Sequence, residues 1–233
     1  MSMDYQSLRN DLKNINGWVF DLDDTLYPPT GEIYAQMAER ICAYVMKTLN
    51  LDKEAATVIQ KEYYHKYGAT VWGLMVEHDV DPKDFTDYIH QLDLSSLHEN
   101  PQLKRLLNAL NGQRFVFTNG AYQHAERVLE RLGLTDCFSG IFSIREADYI
   151  PKPALQTYLK MLKTFDLKAE ESIMFDDSPA NILGAKKAGM HTVWISSNVE
   201  NNKYCSVDTQ DFCDYETKDV MTFLSGLLMD KSA

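Results

Sequence analysis

The chain has 233 residues, enough for one sizeable core and a modest second lobe but not for three domains. Hydrophobic residues make up 45% and charged residues 24%, which is typical of a folded globular protein and does not favour disorder. The formal net charge of −11 makes nucleic-acid polymers poor partners, because an acidic surface repels them, whereas a bound cation can still make one cleft attractive to a small anion.

The first 17 residues are polar and acidic and lack the apolar stretch of a secretory signal. No later segment has the length of apolar sequence that spans a bilayer. The cysteines form no CxxC pair and are too sparse for a disulfide scaffold, which favours reduced thiols at Cys42, Cys137, Cys205 and Cys213. These features predict a cytoplasmic protein that does not bind membranes.

The first predicted strand, 18–20, runs directly into Asp21, Asp23 and Asp24. Side chains two residues apart point the same way while a strand persists, so Asp21 and Asp23 can converge at the carboxyl edge of the sheet, where open α/β folds bind ligands. A DxD motif by itself is more often an acidic turn in which Asp24 or Thr25 caps the next helix. The motif therefore needs support from elsewhere in the chain.

About 75 residues with helical periodicity and no convincing strand separate this motif from a helix that begins near Pro101. The last helix of this interval is opened by Asp81 as N-cap, with Pro82 after it. The interval predicts an inserted all-helical cap domain, residues 27–100, with helices at 31–49, 53–67, 70–78 and 82–91.

Four further apolar, β-rich runs follow, with helical stretches between them: 114–118, 141–144, 172–175 and 191–195. This alternation predicts the α/β fold class, a doubly wound parallel sheet. The core domain is expected to comprise residues 1–26 and 101–233. After about residue 199 the chain is polar until a short amphipathic helix near 218–228.

A second acidic pair, Asp176 and Asp177, follows the strand predicted at 172–175, so it should reach the same edge as the first pair. At about 5 Å and an effective dielectric constant near 20, each like-charge pair costs roughly 3 kcal/mol. A divalent cation is the most direct compensation. Magnesium prefers such oxygen ligands, and the lack of a His or Cys cluster disfavours zinc.

Other strand ends carry groups that suit phosphate chemistry. Thr118 and Asn119 follow the second strand, and Lys152 follows the third. An ammonium, a hydroxyl and backbone donors stabilise the negative charge on the equatorial oxygens of a phosphoryl group in transfer. Taken singly, Thr118 would more often be a helix cap and Lys152 a solvated loop residue. Their positions at strand ends favour a site.

Four motifs together resemble the haloacid dehalogenase-like (HAD) hydrolase superfamily: DLDDTL at 21–26, TN at 118–119, KP at 152–153 and DDSPANI at 176–182. They occur in the family's order over about 160 residues. The resemblance implies a HAD-like Rossmannoid core with a helical cap. It also implies a Mg²⁺-dependent phosphatase that hydrolyses small phosphate monoesters through an aspartyl-phosphate intermediate.

By the same resemblance Asp21 is the nucleophile, and Asp23 is the general acid and base whose backbone carbonyl also binds the metal. The metal ligands would be Asp21, Asp23 and Asp177, with Asp176 acting through water or as a supporting contact. Thr118 and Asn119 would hold phosphate oxygens or orient Asp21, and Lys152 would neutralise the substrate. Asp24 is expected to turn the backbone and Asn181 to orient ligands.

The aromatic segment YYHKYGATVWGLM, at 63–75, together with the DDTLYP form of the first motif and the DDSPANI form of the last, resembles the pyrimidine 5'-nucleotidase branch of the superfamily. This resemblance implies UMP or CMP as substrate. Bases stack on aromatic faces, so candidate contacts are Tyr63, Tyr64, Tyr67 or Trp72 for the base and His65 for a ribose hydroxyl. The competing interpretation is that most of these rings pack the small core of the cap itself.

The sequence is also compatible with other functions. A phosphatase for phosphoglycolate or a sugar phosphate would share the core and differ in the cap. A dehalogenase would need the aspartate nucleophile but no magnesium, and the presence of Asp23 and Asp177 argues against it. A non-catalytic binding protein is disfavoured by the intact set of acids, hydroxyl and lysine. The expected partner is a small phosphate ester such as a nucleoside monophosphate, bound by a monomer or weak homodimer.

Overall fold

Six parallel strands form one sheet within the residues described by the structure, a computed structural model that covers 4–29, 31–67, 69–196 and 212–229. The strand order is β3-β2-β1-β4-β5-β6. The strands are β1 Gly17–Phe20, β2 Gln113–Phe117, β3 Gly140–Phe142, β4 Ser172–Asp176, β5 His191–Ile195 and β6 Tyr215–Thr217. Outward from the central β1–β4 pair, the strands on each side follow one another in chain order. This arrangement confirms the predicted doubly wound sheet.

Helices cover both faces of this sheet, as its buried strands require. On one face lie α1 Tyr5–Asp11, α6 Pro101–Asn108, α7 Tyr122–Leu132 and α10 Val220–Leu228. On the other lie α8 Leu155–Thr164 and α9 Pro179–Lys187.

Strand β1 shows how the sequence divides between the two layers. Trp18 and Phe20 belong to the cluster with α1, α6, α7 and α10, whereas Val19 belongs to the cluster with α8 and α9. Successive side chains of a strand point to opposite faces, so each apolar residue of this run is buried. Phe20 stacks on Phe175 of β4 with ring centroids 4.6 Å apart. Each such side chain contributes about 1.5–3 kcal/mol through burial.

Four helices are inserted between β1 and α6: α2 Gly31–Leu49, α3 Lys53–Tyr67, α4 Thr70–His78 and α5 Pro82–Ile89. They enclose a hydrophobic cluster of their own, which includes Val45, Tyr63, Leu74 and Phe85. The predicted all-helical insertion is therefore present. Its domain boundaries at 27 and 100 stay a prediction, and Leu92, Leu94 and Leu97 near its end pack into the core cluster.

The segment that returns from the insertion to the core is tied to helix α7 by two arginines. Arg127 donates hydrogen bonds to the backbone oxygens of His90 at 3.1 Å and Leu92 at 2.6 Å. Arg131 donates to the backbone oxygens of Leu94, Ser95 and Leu97 at 3.0–3.2 Å. The end of the insertion is thereby fixed to α7, the helix whose first turn borders the sheet edge.

Helix α1 and strand β6 were not expected from the sequence. Leu8 is the one buried residue of α1, and β6 is three residues long without an apolar run, so neither has the periodicity that identifies an element. Three predicted elements end early: the helix at 82–91 ends at Ile89, the strand at 114–118 ends at Phe117 and the strand at 141–144 ends at Phe142.

Cys42, Cys137 and Cys213 are free thiols, as predicted. Cys205 and the polar tail from 199 to 211 lie outside the described residues. Among the helices that the structure describes, none is long and apolar enough to cross a membrane.

Candidate active site

The two acidic motifs meet where the strand order reverses. Asp21 follows β1 and Asp176 ends β4, and these strands are paired in register with Phe20 opposite Phe175. The Asp21 amide donates to the Phe175 carbonyl at 2.8 Å, which continues the ladder to the edge of the sheet. On the two sides of the β1–β4 pair, the connecting helices cover opposite faces of the sheet. A crevice therefore opens at the carboxyl ends of these strands.

Lys152 lies between the two carboxylates. Its Nζ donates to Asp21 Oδ1 at 2.6 Å, to Asp176 Oδ2 at 2.7 Å and to the Phe117 carbonyl at 2.9 Å. The residue is only 2% exposed. Burial would lower the pKa of Lys152, but the two carboxylates outweigh it and raise the pKa, so the ammonium stays charged. The solvated loop alternative for Lys152 is wrong.

Asn119 holds the backbone of Lys152 in place. Its side-chain oxygen accepts from the Lys152 amide at 2.8 Å, and its side-chain nitrogen donates to the Lys152 carbonyl at 3.2 Å. Because this double contact fixes the loop that carries the lysine, the structure gives Asn119 a positioning role. Its predicted contact with a phosphate oxygen stays a prediction.

Asp176 is fully buried and held from three sides. Besides Lys152, the Ser178 amide donates to Asp176 Oδ1 at 2.9 Å, and Asn181 Nδ2 donates to both carboxylate oxygens at 3.0 and 3.2 Å. Asn181 therefore orients this acid, as expected of a ligand-orienting residue. Asp177 is half-buried.

Carboxylate oxygens of Asp21, Asp176 and Asp177 all lie within 4.8 Å of one another. Burial, followed by repulsion from Asp176, raises the pKa of Asp177; burial also raises the pKa of Asp21, despite the opposing effect of Lys152. Three acids around one lysine leave an excess of negative charge. The donor set, all oxygen and partly accessible, fits Mg²⁺ and lacks the nitrogen or sulfur ligands that zinc prefers.

The Asp23 side chain lies apart from this carboxylate cluster. Its Oδ1 accepts from Tyr27 Oη at 2.6 Å and from His124 Nε2 at 2.8 Å. Burial would raise the pKa of Asp23, but the His124 ring and the Tyr27 hydroxyl outweigh it and lower the pKa to about 2. Its side chain is engaged elsewhere, so a metal contact through the Asp23 backbone carbonyl stays a prediction.

Thr118 and Asp24 shape the backbone around the site. Thr118 is buried, and its hydroxyl accepts from the Gly120 amide at 2.8 Å. It does not cap α7, because the N-cap position is occupied by Ala121. Asp24 has a φ of 60°, in the left-handed region, which confirms that it turns the chain. A contact from Thr118 to phosphate stays a prediction.

Sequence reasoning missed Tyr27, His90 and His124. His124 lies in the first turn of α7, just beyond the TN motif, and is 1% exposed. Its ring packs on that of His90 with centroids 4.7 Å apart. The one available signal was that the first turn of a helix following a strand end lies near the sheet edge. Helix periodicity alone does not predict that a histidine at this position points into the protein.

The aromatic segment of the insertion divides into packed and accessible rings. Tyr63 is buried and pairs with His78 Nε2 at 2.7 Å, and Tyr67 bonds to Glu77 and packs on Tyr63. For these two rings the packing interpretation is correct. Tyr64 is 57% exposed and Trp72 half-buried, so part of each ring surface is accessible to solvent.

A family model described as haloacid dehalogenase-like hydrolase matches residues 15–189. A protein of Methanocaldococcus jannaschii named glyceraldehyde 3-phosphate phosphatase is 30% identical, over 86% of this chain and 92% of its own. Phosphate metabolism protein 8 of Saccharomyces cerevisiae is 26% identical, over 90% of this chain and 69% of its own.

The crystal structure of a HAD phosphatase from Thermococcus onnurineus superposes with a TM-score of 0.61 at 19% identity, covering 92% of this chain and 98% of that one. The arrangement of sheet and helices is thus shared with a solved structure.

Proposed function

Because the chain belongs to the haloacid dehalogenase-like hydrolase family, we propose that it is a Mg²⁺-dependent phosphatase that hydrolyses small phosphate monoesters with Asp21 as nucleophile. The observation that carries the proposal is the meeting of Asp21, Asp176, Asp177 and Lys152 at one point of the sheet edge. Such a cluster supplies a nucleophile, a fixed positive charge and a donor set for the cation.

In the first step a carboxylate oxygen of Asp21 attacks phosphorus while the bond from phosphorus to the ester oxygen breaks. The departing oxygen takes a proton from Asp23, so an alcohol leaves and an aspartyl phosphate remains. The ammonium of Lys152 holds the attacking carboxylate in place through Oδ1. The buried position of Asp21 limits access of water to this carboxylate.

In the second step water attacks the phosphorus of the aspartyl phosphate and gives a proton to Asp23. Phosphate leaves, and Asp21 is again a carboxylate. Mg²⁺, held by the carboxylates of Asp21 and Asp177, would supply Lewis-acid stabilisation of the negative charge on the phosphoryl oxygens. Thr118 and Asn119 border the same edge and are the proposed additional phosphate contacts.

For the leaving group, we infer a pyrimidine nucleoside monophosphate, UMP or CMP, as the first candidate. The support is the aromatic insertion segment, in which Tyr64 and Trp72 keep accessible surface that a base can stack on. Such stacking would select nucleotides over smaller esters, because a triose phosphate offers no ring to contact.

The second candidate is a triose or other sugar phosphate. It is favoured by the similarity to the Methanocaldococcus jannaschii protein named glyceraldehyde 3-phosphate phosphatase, which extends over 92% of that protein. With Tyr63 and Tyr67 used in packing, fewer rings are left for a base than the sequence suggested.

A panel of initial rates separates these candidates. We expect Mg²⁺-dependent release of phosphate, with kcat/KM for UMP or CMP at least about 10-fold above that for glyceraldehyde 3-phosphate, phosphoglycolate and hexose phosphates, since that ratio corresponds to about 1.4 kcal/mol of stacking. The reverse order would assign the sugar-phosphate class. Activity that survives chelation, on 2-haloacids instead of phosphates, would contradict the phosphatase proposal.

The two adjacent acids should respond differently to substitution. We expect Asp177→Ala to raise the Mg²⁺ concentration for half-maximal activity at least about 10-fold, because a half-buried carboxylate ligand is lost. Asp176→Ala should instead lower the unfolding free energy by about 3 kcal/mol, because it leaves Lys152 with one fewer buried partner. Magnesium titration and denaturant unfolding of both variants measure the two effects. An opposite order in the titration would make Asp176 the more important ligand.

A further inference from the structure

We propose that Trp194 of β5 is a positioning residue for Asp177, the proposed Mg²⁺ ligand. The inference rests on the proposed function, because it takes Asp177 to bind the cation. Trp194 belongs to none of the four motifs and reaches the site from the neighbouring strand. Its indole Nε1 donates a hydrogen bond to the Asp177 carbonyl at 2.9 Å.

This hydrogen bond joins β5 to the point where β4 ends. The last residue of β4, Asp176, is paired with Trp194 in the parallel register, so Asp177 is the first residue beyond the ladder. The backbone on the N-terminal side of Asp177 is therefore fixed by the sheet. On the C-terminal side its carbonyl is held by the indole, before the chain enters α9 at Pro179.

The indole lies on the face of the sheet that α9 covers. Val193 and Ile195 belong to the cluster on the opposite face, and successive side chains of a strand alternate. Trp194 therefore points towards the layer that contains α8 and α9. The chain leaving Asp177 enters α9 in this same layer, so a side chain of β5 can reach its backbone.

The indole is itself held in place by Phe212. The Phe212 residue is buried, and its ring meets that of Trp194 edge to face, with centroids 5.1 Å apart and an interplanar angle of 67°. Such a contact favours one orientation of the indole plane and hence one direction of the N–H bond. A donor with a fixed direction restrains the carbonyl that accepts from it.

Mg²⁺ binding is sensitive to such a restraint, because the ion demands near-ideal octahedral geometry with ligand distances of about 2.0–2.1 Å. Asp21, Asp176 and Asp177 each offer a carboxylate oxygen within 4.8 Å of the others. The Asp176 side chain is held directly by Lys152 and Asn181, whereas the contact from Trp194 acts on the Asp177 backbone. Rotation of the Asp177 peptide would move its carboxylate relative to the other two.

Replacing Trp194 with phenylalanine removes the indole N–H and keeps an aromatic ring beside Phe212. We expect Trp194→Phe to raise the Kd for Mg²⁺ about 10-fold in the substrate-free protein, because loss of a group that orients a metal ligand typically weakens binding by about 10- to 100-fold. At saturating Mg²⁺, kcat should stay within about 3-fold of wild type. Calorimetric titration with MgCl₂ measures the Kd without substrate, and initial rates measure kcat.

Trp18→Phe is the matched control. Trp18 also donates from its indole to a backbone carbonyl, that of Asn111 at 2.7 Å, but it lies near the amino end of β1, away from the acids. Its Kd for Mg²⁺ should stay within about 2-fold of wild type even where unfolding shows a loss of stability. A general effect of losing a buried indole hydrogen bond would change both variants alike.

Two further variants test the route of the effect. If Trp194 acts through Asp177, adding Trp194→Phe to Asp177→Ala should change the Mg²⁺ concentration for half-maximal activity by less than about 2-fold. Phe212→Leu frees the indole without removing its N–H and should raise the Kd about 3-fold. It replaces Trp194→Phe in the test if that variant does not fold.

A wild-type Kd in folded Trp194→Phe, or in Phe212→Leu where the first variant does not fold, would overturn the inference. So would an equal loss in Trp18→Phe, or a further loss when Trp194→Phe is added to Asp177→Ala. The phosphatase proposal would stand in each case. A wild-type protein that shows no Mg²⁺-dependent hydrolysis of any phosphate ester would overturn both. Weaker Mg²⁺ binding that is confined to Trp194→Phe and Phe212→Leu and disappears without Asp177 would support the role of Trp194.

Discussion

Replacing Asp21 with asparagine is expected to lower kcat by at least about 10³-fold while the protein stays folded. The amide is a poor nucleophile and forms no aspartyl phosphate. Lys152 keeps its 2.7 Å contact with Asp176 in this variant, so the buried ammonium is not left alone. Steady-state rates and a search for the phosphorylated intermediate by mass spectrometry measure the effect.

Stability provides the check that the loss in the Asp21→Asn variant is chemical. Burial already raises the pKa of Asp21, so removal of its charge costs little, and we expect an unfolding free energy within about 1 kcal/mol of wild type. Glu126→Gln, at an exposed acid of α7, is the matched control and should be fully active. Wild-type rates in the purified Asp21→Asn variant would remove Asp21 from its role.

Replacing Lys152 with methionine should affect both activity and stability. Loss of one partner from a buried ion pair costs about 3–5 kcal/mol, because the remaining charges are left in a poorly solvated place. The structure leaves two such charges, on Asp21 and Asp176. Loss of the positive charge beside the phosphoryl group should lower kcat by about 10²–10³-fold as well.

The stability deficit of Lys152→Met should depend on pH in a defined direction. The ammonium lowers the pKa of Asp21, so its removal raises that pKa further in the folded state above the value of about 7 in the intact site. A raised pKa in the folded state adds stability as the pH falls through it. The deficit should therefore shrink as the pH falls from about 9 to about 7, where only the variant takes up a proton at Asp21, and stay level below about pH 7.

Denaturant unfolding of Lys152→Met across that pH range, with and without Mg²⁺, tests this prediction. Lys163→Met, at an exposed lysine of α8, is the control and should match wild type at each pH. Magnesium should stabilise Lys152→Met more than wild type, because it relieves the same uncompensated carboxylates. A deficit that grows on acidification would show that the lysine is not the counter-charge of Asp21.

The elements found from the sequence are those with strong local patterns. Helices α2, α3 and α4 begin and end at the predicted residues, and the apolar runs of β1, β2, β4 and β5 lie in strands. The acids and Lys152 were also found, because residues at the carboxyl ends of parallel strands share one edge. Strand β6 could not be found, since its pairing with β5 depends on the sheet already being formed.

The environment of Asp23 could not be predicted for a different reason. His124 is one of six histidines, and sequence gives no measure of which of them turns inward. Its burial depends on Gly120 and on His90, a residue of the insertion, and therefore on packing between distant segments. The roles assigned to Thr118 and Asn119 likewise depend on a bound phosphate, which a pattern of residue types does not locate.

The attachment of the insertion to α7 bears on how the substrate range of such an enzyme can change. Arg127 and Arg131 recognise backbone carbonyls in residues 90–97 rather than side chains, so most substitutions in that segment leave the attachment intact. A different helical insertion whose connecting backbone follows the same path would accept the same hydrogen bonds from these arginines. Exchange of whole modules can then alter selectivity while the hydrolytic residues stay untouched.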